Sequence, residues 1–184
     1  MRLQEPVIKI AIYGSSATGK SASCGALAKL LKSNNVSIRH CGQIVKERAK
    51  LFGYQLQDGI PEKLHKDIDS ETREFASNQA CMVIEGRYLH YVLSQSNAIL
   101  FIELTAGIDE RAVRVARRDL AAFDLARAEI IKSDKDDEEL IKHLYKKIKP
   151  INKPHFTFDT SNLTIVATAE LIMEAIAIHH DKTR

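Results

Sequence analysis

Apolar residues fall along this chain in short β-rich runs that alternate with longer stretches of helical spacing. The run "VIKIAIY", Val7 to Tyr13, is apolar and rich in β-branched residues except for Lys9, and it stops at Gly14. That is the pattern of a buried parallel strand. From Gly19, "GKSASCGALAKLLKS" places Cys24, Leu27, Ala28 and Leu31 on one helical face and ends at polar "SNN". "VSIRH" reads as a short second strand. "GQIVKERAKLFGY" and "PEKLHKDIDSETREFASNQA" read as two helices inserted between strands, with Pro61 near the start of the second. "CMVIEG" and "AILFIEL" are two further strands, each followed by a helical pattern. "DERAVRVARRDLAAF" predicts a helix with Ala112, Val115, Ala116 and Leu120 on its apolar face and Arg111, Arg114 and Arg118 along another. Beyond it "KSDKDDEE" is a charged tract, "LIKHLYKKIKP" is helical until Pro150, "HFTFDT" is a last strand and "ATAELIMEAIAIHH" a closing helix.

Strands alternating with helices predict an α/β fold: a three-layer, doubly wound parallel sheet of five strands with a helical insertion, in a single domain over residues 1–184. In such a sheet the ligand crevice lies outside the carboxyl ends of the strands. No internal repeat interrupts the pattern.

Composition narrows the class. The 184 residues are 45% hydrophobic and 28% charged, as in soluble globular proteins. No apolar stretch approaches the roughly 18 residues of a membrane span. "MRLQEPVIKIAIYG" lacks the long apolar core and small-residue cleavage site of a secretory signal, so the expected location is the cytoplasm. Cys24, Cys41 and Cys81 are scattered, without metal spacing, and read as small buried thiols; His40, His65, His90, His143 and His155 show no metal spacing either, and the terminal pair His179 and His180 reads as a frayed helix end. The net charge of +3 suits anionic small molecules but lacks the dense basic face of a nucleic-acid binder. The expected partners are therefore small molecules, with no nucleic acid and no membrane, and the chain a monomer or weak dimer.

The chemistry begins at "GSSATGKS". Residues Gly14, Ser15, Ser16, Ala17, Thr18, Gly19, Lys20 and Ser21 fit G-x-x-x-x-G-K-[ST] without a gap, between a strand and a helix. The glycines let backbone amides converge on phosphate oxygens; Lys20 would reach the outer phosphates and Ser21 would hold Mg²⁺. "VIEGR" ends the third strand with Glu85 and Arg87. Glu85 can orient Mg²⁺ through water or steer an attacking hydroxyl, and Arg87 can clamp an acceptor phosphate in a planar fork. The alternative for both is a structural ion pair at a strand end. The arginines of "ERAVRVARRD" either neutralise a transferring phosphoryl group, Arg114 and Arg118 more than Arg111, or form a solvated face paired with Asp109, Glu110 and Asp119. Lys46 either points into the crevice or is solvated.

Together "GSSATGKS", the "CGQIVKERAKLFG" helix, "IDSETREFA", "VIEGR" and "FDTSNLT" resemble the cytidylate kinase family of nucleoside monophosphate kinases, most closely its short archaeal-type members. The likeness covers nearly the whole chain, with the loop as its one sharp motif. It implies transfer of phosphate from ATP to cytidylate. Gly14 to Ser21 would bind ATP and Mg²⁺, Arg87 the monophosphate, and Arg114 and Arg118 would approach the transfer point. The middle helices, about residues 42–80, would form an acceptor wing, and residues of about 114–137 a lid.

Two departures stand out. The family has an arginine where this chain has Lys46, four residues after Gly42, which keeps the charge but loses bidentate geometry. Bacterial members carry several lid arginines where this chain has "IIKSDKDDEEL", whose acids would repel the charge to be stabilised. The sequence thus predicts an ATP- and Mg²⁺-dependent kinase of a nucleoside monophosphate, CMP or dCMP. A phosphate acceptor is already anionic and needs no general base. The other readings are a kinase of a small hydroxyl-bearing metabolite, with a carboxylate such as Glu85 as base, and a nucleotide-binding module with weak or no transfer.

Overall fold

A computed structural model describes residues 8–31, 36–55, 59–96, 98–151 and 153–182; Val7, the polar "SNN" and the first residues of the chain lie outside them. The strands are β1 (Lys9–Tyr13), β2 (Ser37–His40), β3 (Met82–Gly86), β4 (Leu100–Thr105) and β5 (Phe156–Asp159). The helices are α1 (Lys20–Leu30), α2 (Cys41–Leu51), α3 (Glu62–Asn78), α4 (Leu89–Val92), α5 (Ile108–Asp119), α6 (Phe123–Leu144) and α7 (Ile165–Lys182). The strands form one sheet in the order β2-β3-β1-β4-β5, and every pairing is parallel. Among the described residues no helix is long and apolar enough to cross a membrane.

Period-two alternation explains the layers. Ile10 and Ile12 of β1, with Leu100, Ile102 and Leu104 of β4, pack one face against Cys24 and Leu27 of α1 and Ala169, Ile172 and Ala175 of α7. Ala11, Tyr13, Met82, Ile84 and Phe101 face the other way, onto Ala76, Leu89, Val92 and Tyr145. The central strands are apolar on both sides because both sides are covered, which is why "VIKIAIY" reads as a run rather than an alternation. A third, small core of Val115, Ala126 and Ile130 lies between α5 and α6.

The order places β1 between β3 and β4, where the winding reverses, so the loop after β1 opens into the crevice that such a reversal creates. Gly14 begins this loop at φ 144°, and a Cβ there would stand 2.1 Å from the Leu104 carbonyl oxygen. Only glycine lets the loop cross the end of β4 so closely.

Two expectations are corrected. The tract "KSDKDDEE" is no separate segment but the middle of α6, one continuous helix of 22 residues, and the helix ends at Leu144 rather than near Pro150. Neither glycine nor proline interrupts it, and opposite charges fall four apart, as at Lys142–Glu138 (3.9 Å) and Lys135–Glu139 (4.0 Å). Leu120 does not share the buried face of Ala112 and Val115. It follows the last turn of α5 in a left-handed conformation, φ 53°, and is 94% exposed.

Candidate active site

The loop Gly14–Ser21 leaves β1 and enters α1, whose first residue is Lys20. Gly19 at φ 92° and Ala17 at φ 61° bend the backbone back on itself. Lys20 is 8% exposed; its Nζ donates to the Ser15 carbonyl at 2.6 Å and approaches Thr18 Oγ1 at 3.5 Å. Burial lowers its pKa to about 8; Glu85 and Asp137 oppose that shift, while Arg87 and Arg111 add to it. Those four charged groups therefore converge on the loop lysine.

Glu85 sits on β3 in register with Ile12 of β1 and His40 of β2, and is 3% exposed. Its Oε1 accepts the Ser21 hydroxyl at 3.0 Å and lies 3.2 Å from His40 Nδ1. The Ser21 hydroxyl and the Glu85 carboxylate are hard oxygen donors beside the mouth of the loop, which suits Mg²⁺: that ion keeps several waters and takes few protein ligands. The surroundings fit such an ion, which Ser21 would ligate directly and Glu85 would hold through water. His40 was not among the residues singled out in the sequence; only the register of β2 on β3 brings it here.

Arg87 follows β3 and reaches α6. Its Nη1 donates to Asp137 Oδ1 at 2.7 Å and to Ser133 Oγ at 3.2 Å, and the Tyr88 hydroxyl donates to the same Asp137 oxygen. Burial, the largest single influence, lowers the Arg87 pKa, but Asp137 and Tyr88 together, by charge and hydrogen bond, outweigh it and hold the guanidinium above its ordinary value. A cleft of about 260 Å³ opens between these groups and the loop, lined by Gly14, Ser15 and Arg87 and by the carboxylates of Glu103, Asp134, Asp137 and Glu138. His90 lines it too, stacked on Tyr13 at 4.6 Å, with its pKa lowered to about 4 by burial.

The arginines of α5 divide. Arg111, the one ranked lowest from sequence, is 6% exposed and forms a two-pronged pair with Asp134 (Nη1–Oδ1 2.8 Å, Nη2–Oδ2 2.5 Å), while Nη1 also reaches the Ser16 carbonyl at 3.4 Å. Arg114 donates to the Ala17 carbonyl at 3.3 Å and, twice, to Thr160, at Oγ1 (3.0 Å) and at the carbonyl (2.5 Å). Arg118 shares their face, but seven residues further along a helix is about 10 Å away. Its side chain is 56% exposed and bonded to Asp119 at 2.6 and 2.7 Å, so the structure does not bring it to the loop. Lys46 is exposed on α2, across from this end of α5: after the Arg118 hydrogen bonds, its charge helps lower the Asp119 pKa.

The acids of α6 thus have a different meaning from the repulsion expected of them. Asp134 and Asp137 are each bonded to an arginine, Arg111 and Arg87. Their spacing of three residues, on one helix face, was the available signal.

Residues 9–162 match the model of the cytidylate kinase-like family. The chain belongs to that family. The cytidylate kinase of Thermococcus kodakarensis is 31% identical over 140 residues, covering 74% of this chain and 70% of its own length. That of Sulfolobus acidocaldarius is 30% identical over 183 residues, covering 92% and 94%. Among solved structures, shikimate kinase from Bacteroides thetaiotaomicron superposes with a TM-score of 0.59 at 17% identity, covering 92% of this chain and 98% of that one. The sheet and loop described above are those of a phosphate-loop kinase, and membership of the cytidylate kinase-like family makes the chain a nucleotide-binding phosphotransferase.

Proposed function

We propose that this kinase moves the γ-phosphoryl group of ATP to a nucleoside monophosphate, with CMP and dCMP as acceptors. The observation that carries the reading is the state of Arg87. Its guanidinium stands at the carboxyl end of β3, close enough to the loop to depress Lys20, and its bonds to Asp137 and Ser133 both leave from Nη1. The remaining Nε–Nη2 edge is a planar fork of the kind that takes two phosphate oxygens.

In this reading Gly14 to Ser21 hold the triphosphate of ATP, and Lys20 binds its outer phosphates. Ser21 directly and Glu85 through water hold Mg²⁺, which supplies charge neutralisation on the phosphates when bound. Lys46 adds charge on the acceptor side. Arg111 and Arg114 hold the loop carbonyls at Ser16 and Ala17 in place, so the amides keep the arrangement a phosphate needs. The acceptor oxygen is already an anion, and catalysis rests on alignment and electrostatics.

A hydroxyl acceptor is the second reading, favoured by the carboxylates of Glu103, Asp137 and Glu138 along the cleft. Glu85, the base suggested from sequence, is poorly placed for it, because its Oε1 is shared by Ser21 and His40. Coupled measurement of ADP formation with CMP, dCMP, UMP, AMP, shikimate and simple polyols separates the readings. Turnover with CMP or dCMP and none with the alcohols is expected. Turnover with an alcohol alone selects the second reading, and ATP binding without transfer to any acceptor leaves a nucleotide-binding module.

A further inference from the structure

Asp134 and Asp137 hold their arginines in different ways. Asp134 meets Arg111 fork to fork and uses both terminal nitrogens. Asp137 meets Arg87 through Nη1 alone, and Ser133, one helical turn earlier on the same face of α6, bonds that same nitrogen. Tyr88 donates to the Asp137 oxygen from the opposite wall. Two side chains of α6 thus hold Nη1 of one guanidinium, with Tyr88 bracing one of them, while neither bonds its Nε–Nη2 edge.

We propose that Asp137, with Ser133 and Tyr88 in support, is a positioning residue for the acceptor: it locks Arg87 with the Nε–Nη2 edge turned to the incoming phosphate. This rests on the reading of Arg87 as the acceptor clamp. A carboxylate acting as a stand-in for the phosphate, to be expelled on binding, would take two nitrogens at once, as Asp134 takes Nη1 and Nη2 of Arg111. A carboxylate serving as an orienting strut takes a single corner, as Asp137 takes Nη1 of Arg87, and leaves the Nε–Nη2 edge to the phosphate. Arg87 is 40% exposed at its side chain and has many rotamers to lose, so fixing it in advance removes an ordering cost from acceptor binding.

The test is initial-rate kinetics with CMP and ATP·Mg²⁺ on the whole chain carrying Asp137→Ala, Asp137→Asn, Ser133→Ala, Arg87→Ala and the double variant Arg87→Ala/Asp137→Ala. Asp137→Ala should raise KM for CMP about tenfold, with KM for ATP changed less than about twofold. Asp137→Asn, which keeps the shape and an acceptor oxygen, should fall between, and it reads out the role if the alanine variant folds poorly. In the Arg87→Ala background Asp137→Ala should add nothing, because a strut acts only through what it holds. An unchanged or lowered KM for CMP in Asp137→Ala and Asp137→Asn, beside a raised one in Arg87→Ala, overturns the positioning role and leaves the clamp standing. Additive losses in the double variant overturn it as well, showing a structural effect instead. If Arg87→Ala leaves KM for CMP unchanged, the clamp reading falls and takes this role with it.

Discussion

Thr160, in the turn after β5, donates its hydroxyl to the carbonyl of Thr18 in the phosphate loop at 3.0 Å, across 142 positions of sequence. The same hydroxyl serves the Thr105 carbonyl at 3.0 Å and receives Arg114. Thr160 is 2% exposed, so water cannot replace these bonds. Thr160→Val should cost about 1–3 kcal/mol in denaturant unfolding. It should also raise KM for ATP about three- to tenfold, since a loop no longer held has to be ordered by its ligand. Normal ATP kinetics would show that the bond braces the sheet and not the loop.

Lys20 carries a stability cost. Its folded pKa of about 8 lies below its ordinary 10.5, so between those values the unfolded chain binds more protons. Stability gained from this group therefore rises with pH through that window, and the penalty is fully present below it. Lys20→Met should remove about 3 kcal/mol of strain in the nucleotide-free protein at neutral pH. Melting temperature should rise while phosphoryl transfer falls by at least about a hundredfold. A variant with normal turnover would show that the loop is not the catalytic centre.

Gly14→Ala puts a Cβ 2.1 Å from a backbone oxygen of β4, at a φ of 144° that L side chains rarely adopt. Backbone cannot yield as a side-chain tip can, so a loss of about 2–4 kcal/mol is expected. The shift in melting temperature on adding ATP should vanish with it. An undiminished shift would mean that the loop can bind phosphates from another path across the sheet.

Arg111 and Arg118 give a matched pair of tests on one helix face. Arg111→Ala removes a side chain that is 6% exposed and leaves Asp134, whose own side chain is 32% exposed, without its partner; it should lower both melting temperature and kcat, the latter by about a hundredfold. Arg118→Ala removes an exposed pair with Asp119, worth at most about 1 kcal/mol, and should change kcat less than about threefold. Equal losses in the two variants would place Arg118 at the transfer point.

The fold was legible because its signals are local. β1 shows as an apolar run ending at a glycine, and the loop motif names its own geometry. The division of the α5 arginines was not legible, because Arg111, Arg114 and Arg118 look alike as a stripe and differ only in what lies opposite. That partner is α6, hidden in a tract whose charges resemble a loop when taken one by one. The likeness of "KSDKDDEE" to a solvated tract concealed two carboxylates aimed inward, at Arg87 and Arg111. His40 and Thr160 reach the site through register and a long-range turn, which no short window of sequence contains.

The small core between α5 and α6 has a further consequence. Val115, Ala126 and Ile130 pack among themselves, with Ala17, Ile108 and Ala116 at their margin, and share no residue with either core of the sheet. The hairpin is in this sense a module with its own foundation. Its surface chemistry can drift, acids taking the place of bases, without disturbing the sheet beneath, and a hairpin grafted from a relative would bring its own interior with it.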